Sequence, residues 1–150
     1  MIQSTYTGSQ TTNNMYLRLS DADPDFYGAG DRPLISIKSQ QTKKLKYFMP
    51  TTITTLATGD RYSQLTYSTT PTYNELGNLL GVIQVGTTDF PFGFYDIVIY
   101  KNSSNANLDP ANVSVVLYTG LFNLKSTTAA TQYTEYTTND SDTESVYLTI

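Results

Sequence analysis

The stretch Phe94-Tyr95-Asp96-Ile97-Val98-Ile99-Tyr100 sets Tyr95, Ile97 and Ile99 on one side of an extended chain and Asp96 and Val98 on the other. Alternation of branched and aromatic residues with period two marks a β-strand with one buried face. Asp96, next to that face, is expected to be partly buried, with Arg61 or Lys101 as its partner. Pro91-Phe92-Gly93 punctuates the chain before this strand, and a loop rich in Asn and Ser, Lys101 to Pro110, follows it. Val113-Ser114-Val115-Val116-Leu117-Tyr118 then resumes as a strand. Gly120 interrupts it, where a bulge or sharp bend is expected, and Leu121-Phe122-Asn123-Leu124 continues.

The same period recurs upstream in Met15-Tyr16-Leu17-Arg18-Leu19, in Leu34-Ile35-Ser36-Ile37-Lys38 and from Arg61 to Tyr67. Shorter candidates are Tyr47 to Leu56, weakened by Pro50, and Val82-Ile83-Gln84-Val85. Gln40 to Lys46 reads as a hairpin tip or exposed edge, and Tyr73 to Gly81 as one short helical turn. Gln132 to Thr138 and Ser145-Val146-Tyr147-Leu148-Thr149-Ile150 close the chain around an acidic turn. Roughly seven to nine short strands without a long helix predict an all-β fold, a single antiparallel β-sandwich over residues 13–150, immunoglobulin-like or jelly-roll-like. Met1 to Thr12, small and polar, reads as a flexible N-terminal arm that a neighbour would order.

A chain of 150 residues suits one domain with a real core. Charged residues make up 15%, and 25 Thr, 13 Ser, 10 Asn and 7 Gln supply the polar bulk, a composition that favours strands and excludes a coiled coil. The absence of Cys and His rules out a disulfide framework, a zinc finger and Ser–His–Asp or Cys–His catalysis. A formal charge of −4 argues against nucleic-acid binding, which needs basic charge to displace counterions. No apolar run approaches the ~20 residues of a membrane span, and the N-terminus lacks the apolar stretch of a signal peptide. The expectation is a protein made in a cytoplasm, without membrane partners.

Asp21, Asp23 and Asp25 alternate as hard oxygen ligands do in a calcium loop, and make a candidate calcium site. Phe26 and Arg32 stand where such a loop needs Gly and Glu, so a solvated turn is the plainer reading. No other cofactor is expected. Asp60, Glu75, Asp89 and Asp96 have no spacing that selects an acid–base pair, and the chain is expected not to be an enzyme. Lys38, Lys43, Lys44 and Lys46 cluster without an acid, whereas Glu135, Asp140, Asp142 and Glu144 sit in the last nineteen residues without a base. These read either as two solvated hairpins or as complementary patches on neighbouring copies. Tyrosines such as Tyr62, Tyr67, Tyr73, Tyr133 and Tyr136 flank loops and can form contact surfaces. The candidate interface is Tyr6, Lys43, Lys44, Lys46, Glu135, Asp140, Asp142 and Tyr147.

Phe90-Pro91-Phe92-Gly93-Phe94-Tyr95-Asp96-Ile97-Val98-Ile99-Tyr100, followed by Val116-Leu117-Tyr118-Thr119-Gly120-Leu121-Phe122, resembles the turn-to-strand and bent strand of small immunoglobulin-like β-sandwich modules in tailed-bacteriophage virions, of the baseplate, neck and decoration type. The resemblance implies a non-enzymatic structural protein of the virion, assembling in multiple copies on a capsid, neck or tail scaffold. Its partners would be copies of itself and other virion proteins. The alternative is a receptor- or glycan-binding module of a fibre or tail, using loop residues such as Tyr27, Asn102 and Asn105.

Overall fold

A computed structural model describes residues 1–19, 32–55, 62–70, 81–104, 106–113 and 115–128. Its strands in chain order are β1 (Ile2–Tyr6), β2 (Thr11–Leu17), β3 (Leu34–Ser39), β4 (Leu45–Phe48), β5 (Thr52–Thr55), β6 (Ser63–Thr70), β7 (Val82–Gln84), β8 (Gly93–Tyr100) and β9 (Val116–Ser126). They form two packed sheets, one ordered β1-β9-β8-β3-β4 and the other β2-β6-β5, with β7 also on β6. β2 runs along the whole of one side of β6, so β5 (opposite Ser63–Thr66) and β7 (opposite Ser68–Thr70) share the other side. The pairings are antiparallel except β1 with β9 and β6 with β7.

This strand order is that of an immunoglobulin sandwich of the variable type. β3, β8 and β9 take the places of strands C, F and G, β4 extends that sheet, and β2, β6 and β5 take those of B, E and D. At the start of β8 the Tyr95 hydroxyl donates to the Pro91 carbonyl, the corner that pins this strand in such folds. The turn before it is tight. Gly86 N–H donates to Phe90 O at 2.9 Å, and Gly86 holds a φ of 74° with the Phe92 ring directly over it, which leaves no room for a side chain.

Alternation puts Tyr95, Ile97 and Ile99 inside, as the sequence reading requires, against Ile35 and Ile37 of β3 and Phe122 and Leu124 of β9. Met15, Leu17, Leu65, Tyr67 and Ile83 face them from the other sheet. Aromatic rings cross between the sheets. Tyr67 lies 5.5 Å from Phe48 and 6.5 Å from Phe122, which meets Tyr95 edge-on at 6.0 Å. In a chain without cysteine, this packing joins the two sheets with no disulfide between them. Burial pushes the Tyr67 phenol far above its ordinary value.

The structure corrects several expectations. Met1 to Thr12 is not an arm: Ile2–Tyr6 is β1, paired with Phe122–Ser126, with Ile2, Ser4 and Tyr6 buried, and Thr11 already begins β2. Gly120 does not break its strand. β9 runs through it, and the register shift falls instead between Ile99 and Tyr100, opposite Leu117. Gly120 makes room for the Tyr118 ring, whose atoms would lie 2.5–2.9 Å from an added Cβ. The segment Tyr47 to Leu56 splits into β4 and β5 around Met49, Pro50 and Thr51, since proline cannot donate to a ladder. Tyr73 to Leu80, Gln132 to Thr138 and Ser145 to Ile150 lie outside the described residues.

Candidate functional site

Opposite its buried side, the five-stranded sheet presents an outer face whose rows follow from the registers. Leu45, Lys38, Asp96 and Leu121 line up across β4, β3, β8 and β9, and Tyr47, Ser36, Val98 and Thr119 form the next row. Leu45 and Leu121 close the first row at 47% and 45% exposure, and Phe94 and Val116 on the same sheet are exposed to 40% and 47%. Large apolar side chains exposed together on one sheet face are unusual for a surface that meets only water. Between the leucines stand two opposite charges. Asp96 is exposed, and its Oδ1 accepts from Gln40 Nε2 at 2.8 Å, so neither its expected burial nor a Lys101 partnership holds; Arg61 lies outside the described residues. At the far end Tyr47 neighbours Tyr100 and Asp109. Burial first, then those two groups, raise the Tyr47 phenol above its ordinary value.

The β3–β4 hairpin borders this face. Ser39 N–H donates to Lys44 O at 2.9 Å and Lys43 N–H to Ser39 O at 3.0 Å, closing a loop in which Lys43 takes the left-handed conformation at φ 61°. The tip is fastened by Thr42 Oγ1 to Asp89 O at 2.6 Å and by Gln40 N–H to Phe94 O at 3.1 Å. Lys38, Lys43 and Lys44 are exposed. Lys46 differs from them. It faces Ile37 on the inner side of the sheet, donates to Gln84 O at 3.1 Å and rests 4.0 Å over the Phe90 ring, tying β4 to β7 of the other sheet. A cleft of about 410 Å³ lies beside it, lined by Lys46, Gln84, Thr87, Thr88, Asp89 and Phe90.

Of the candidate interface, the structure therefore brings Lys43 and Lys44 to the surface and turns Lys46 inward. Tyr6 is 6% exposed and its ring stacks on Phe92 at 5.6 Å, so it has no surface to offer a partner. Tyr67 is likewise interior, whereas Tyr62 is exposed and accepts from Arg18 Nη2 at 3.1 Å. Glu135, Asp140, Asp142 and Tyr147, the candidate calcium ligands Asp21, Asp23 and Asp25, and the loop residues Tyr27 and Asn105 lie outside the described residues. Asn102 is buried, with its amide donating to Ser104 O at 2.9 Å and Asn107 O at 3.2 Å, and thus helps fold its own loop. Asp109 caps the 3-10 turn Pro110–Asn112. Among the described residues no helix is long and apolar enough to cross a membrane.

The sequence reading missed the outer face. Its signal lay in Phe94, Val98 and Tyr100, which share the side of β8 opposite Tyr95 and are too apolar for a face left to water. No family model, no curated protein and no solved structure matches this chain.

Proposed function

We propose that this protein is a non-enzymatic structural module that assembles in multiple copies, using the outer face of its five-stranded sheet against a second copy. The observation that carries this reading is the row Leu45, Lys38, Asp96, Leu121, apolar at both ends and oppositely charged in the middle. A two-fold axis running along the strands between β3 and β8 sets each Lys38 over the other copy's Asp96, and each Leu45 over the other's Leu121. The patch is therefore complementary to itself, as a two-fold contact requires. The resemblance to phage sandwich modules supplies a setting: on a virion scaffold one modest contact is repeated many times, and repetition makes weak contacts sufficient.

Light scattering over a wide concentration range tests this. The expected result is a dimer or larger species, and Leu121→Asp lowers the mass while leaving the far-UV spectrum unchanged. A chain that stays monomeric at every concentration overturns the reading.

A further inference from the structure

We infer that the open edge of β4, with the Lys43–Lys44 hairpin beside it, seats the acidic C-terminal segment of a neighbouring copy, residues 139–150, as an added strand. This rests on the multi-copy reading and names a second contact, one that extends pairs into arrays.

β4 ends the five-stranded sheet, pairing with β3 on one side and with no strand among the described residues on the other. An edge strand is the place in a sheet where a further strand can add. Charge selects the occupant. From Lys38 to Phe48 the chain carries four lysines and no acid, and three of these, Lys38, Lys43 and Lys44, are exposed. Beyond Thr128 lie 22 residues (150 − 128) with Glu135, Asp140, Asp142 and Glu144 and no base. A lysine-bearing edge repels another β4 edge and accepts an acid-flanked strand, so attraction and exclusion act together.

The pattern also fits. Val146, Leu148 and Ile150 alternate with Tyr147 and Thr149, and β4 alternates Leu45 and Tyr47 outside with Lys46 and Phe48 inside. An added strand extends both faces, with Tyr147 beside the exposed Leu45 and Tyr47.

The exit of β9 and the β4 edge lie on opposite sides of the sheet. β9 leaves the sheet beside β1, where Thr127 N–H donates to Tyr6 O at 2.9 Å, whereas β4 forms the opposite edge three strand spacings away, about 14 Å. The exit and the hairpin lie at the same end of the sandwich, since Leu124 pairs with Gly93 and Ser39 with Tyr95. Copies set side by side thus bring the exit of one next to the hairpin of the next, a head-to-tail contact that repeats. Lys43 adds an independent sign. Its φ of 61° is a conformation that glycine or asparagine adopts more readily, so the hairpin holds this exposed cation at a cost in backbone strain.

The test is made in a Leu121→Asp background, so that the edge contact alone is read. That chain is expected to assemble, and to fall apart as salt is raised. A version ending at Thr128 and a full-length K43E/K44E version are each expected to be monomeric with unchanged far-UV spectra. Mixed, they should form a one-to-one heterodimer, because one supplies a working hairpin and the other a working segment. Full-length D140K/D142K/E144K replaces the shortened chain if that chain fails to fold. A mass unchanged by either variant overturns the inference, as does a mixture that stays monomeric, which would place the segment on its own subunit. If the protein without any substitution assembles while these results fail, only the edge contact falls; if it is monomeric throughout, the multi-copy reading falls with it.

Discussion

At one edge of the five-stranded sheet, Thr5 of β1 turns its N–H and C=O away from β9 and meets the side-chain amide of Asn13. Asn13 Oδ1 accepts from Thr5 N–H at 2.8 Å, and Nδ2 donates to Thr5 O at 3.1 Å. The amide also reaches Thr11 O at 3.2 Å and Thr69 Oγ1 at 3.3 Å, both in the other sheet. At the other edge, β4 meets no such mimic among the described residues; it carries one lysine folded inward over Phe90 and two more on its hairpin. One edge is closed by a side chain standing in for backbone, the other defended by charge. A closed edge pairs with nothing further. A charged edge still discriminates, and an acidic strand passes where a basic one does not.

The sharpest way to break the closed edge is Asn13→Ala. It strands the N–H of Thr5, leaves the Thr5 C=O only a long contact from Thr69 Oγ1 at 3.5 Å, and removes a nearly buried amide that reaches four partners. The expected cost is about 2–4 kcal/mol, since unpaired buried polar groups are expensive. Denaturant unfolding reads the loss. Amide exchange should show Ile2–Tyr6 opening faster while β3 and β8 stay protected, and uniform loss across both regions would show that Asn13 supports the whole core rather than the edge.

Lys46→Met tests the charged edge with a smaller effect. Methionine keeps the stem over Phe90 and gives up the ammonium that bridges to Gln84 O. The expected loss is about 1 kcal/mol, the size of one cation–π contact with its hydrogen bond. Thermal unfolding measures it. The same variant should aggregate more readily on heating, because an inward-turned charge is one device that keeps a strand edge from pairing indiscriminately.

These two edges also mark how far the sequence could be read. β3 and β8 were legible because branched and aromatic residues recur with period two, Ile35 and Ile37 about Ser36, and Tyr95, Ile97 and Ile99 about Asp96 and Val98, and burial of one face enforces that period. β1 was not. Ile2-Gln3-Ser4-Thr5-Tyr6 has a small polar residue at its centre, and what orders it is a parallel pairing with β9, more than a hundred residues away, and an asparagine in the next strand. Local composition carries no trace of either. The lysine cluster was legible as charge, but its division was not. Lys46 turns inward because its register opposite Ile37 puts it on the core side, a fact set by the hairpin geometry and not by the residue.

The smallest expected effect is also the one that separates stability from use at the charged edge. Lys43→Gly relieves the left-handed backbone at φ 61° and should stabilise the monomer by about 0.5–1 kcal/mol, read as a rise in denaturation midpoint with unchanged slope. Lys43→Arg keeps both the charge and the strain and should leave stability within about 0.5 kcal/mol of the starting protein. If Lys43 is only a solvated loop residue, the glycine variant is better folded and assembles as before. If the cation is what the edge uses, the glycine variant is more stable and assembles less, while the arginine variant matches the parent in both. Opposite movement of the two readouts in one variant is a result that loss of folding cannot imitate.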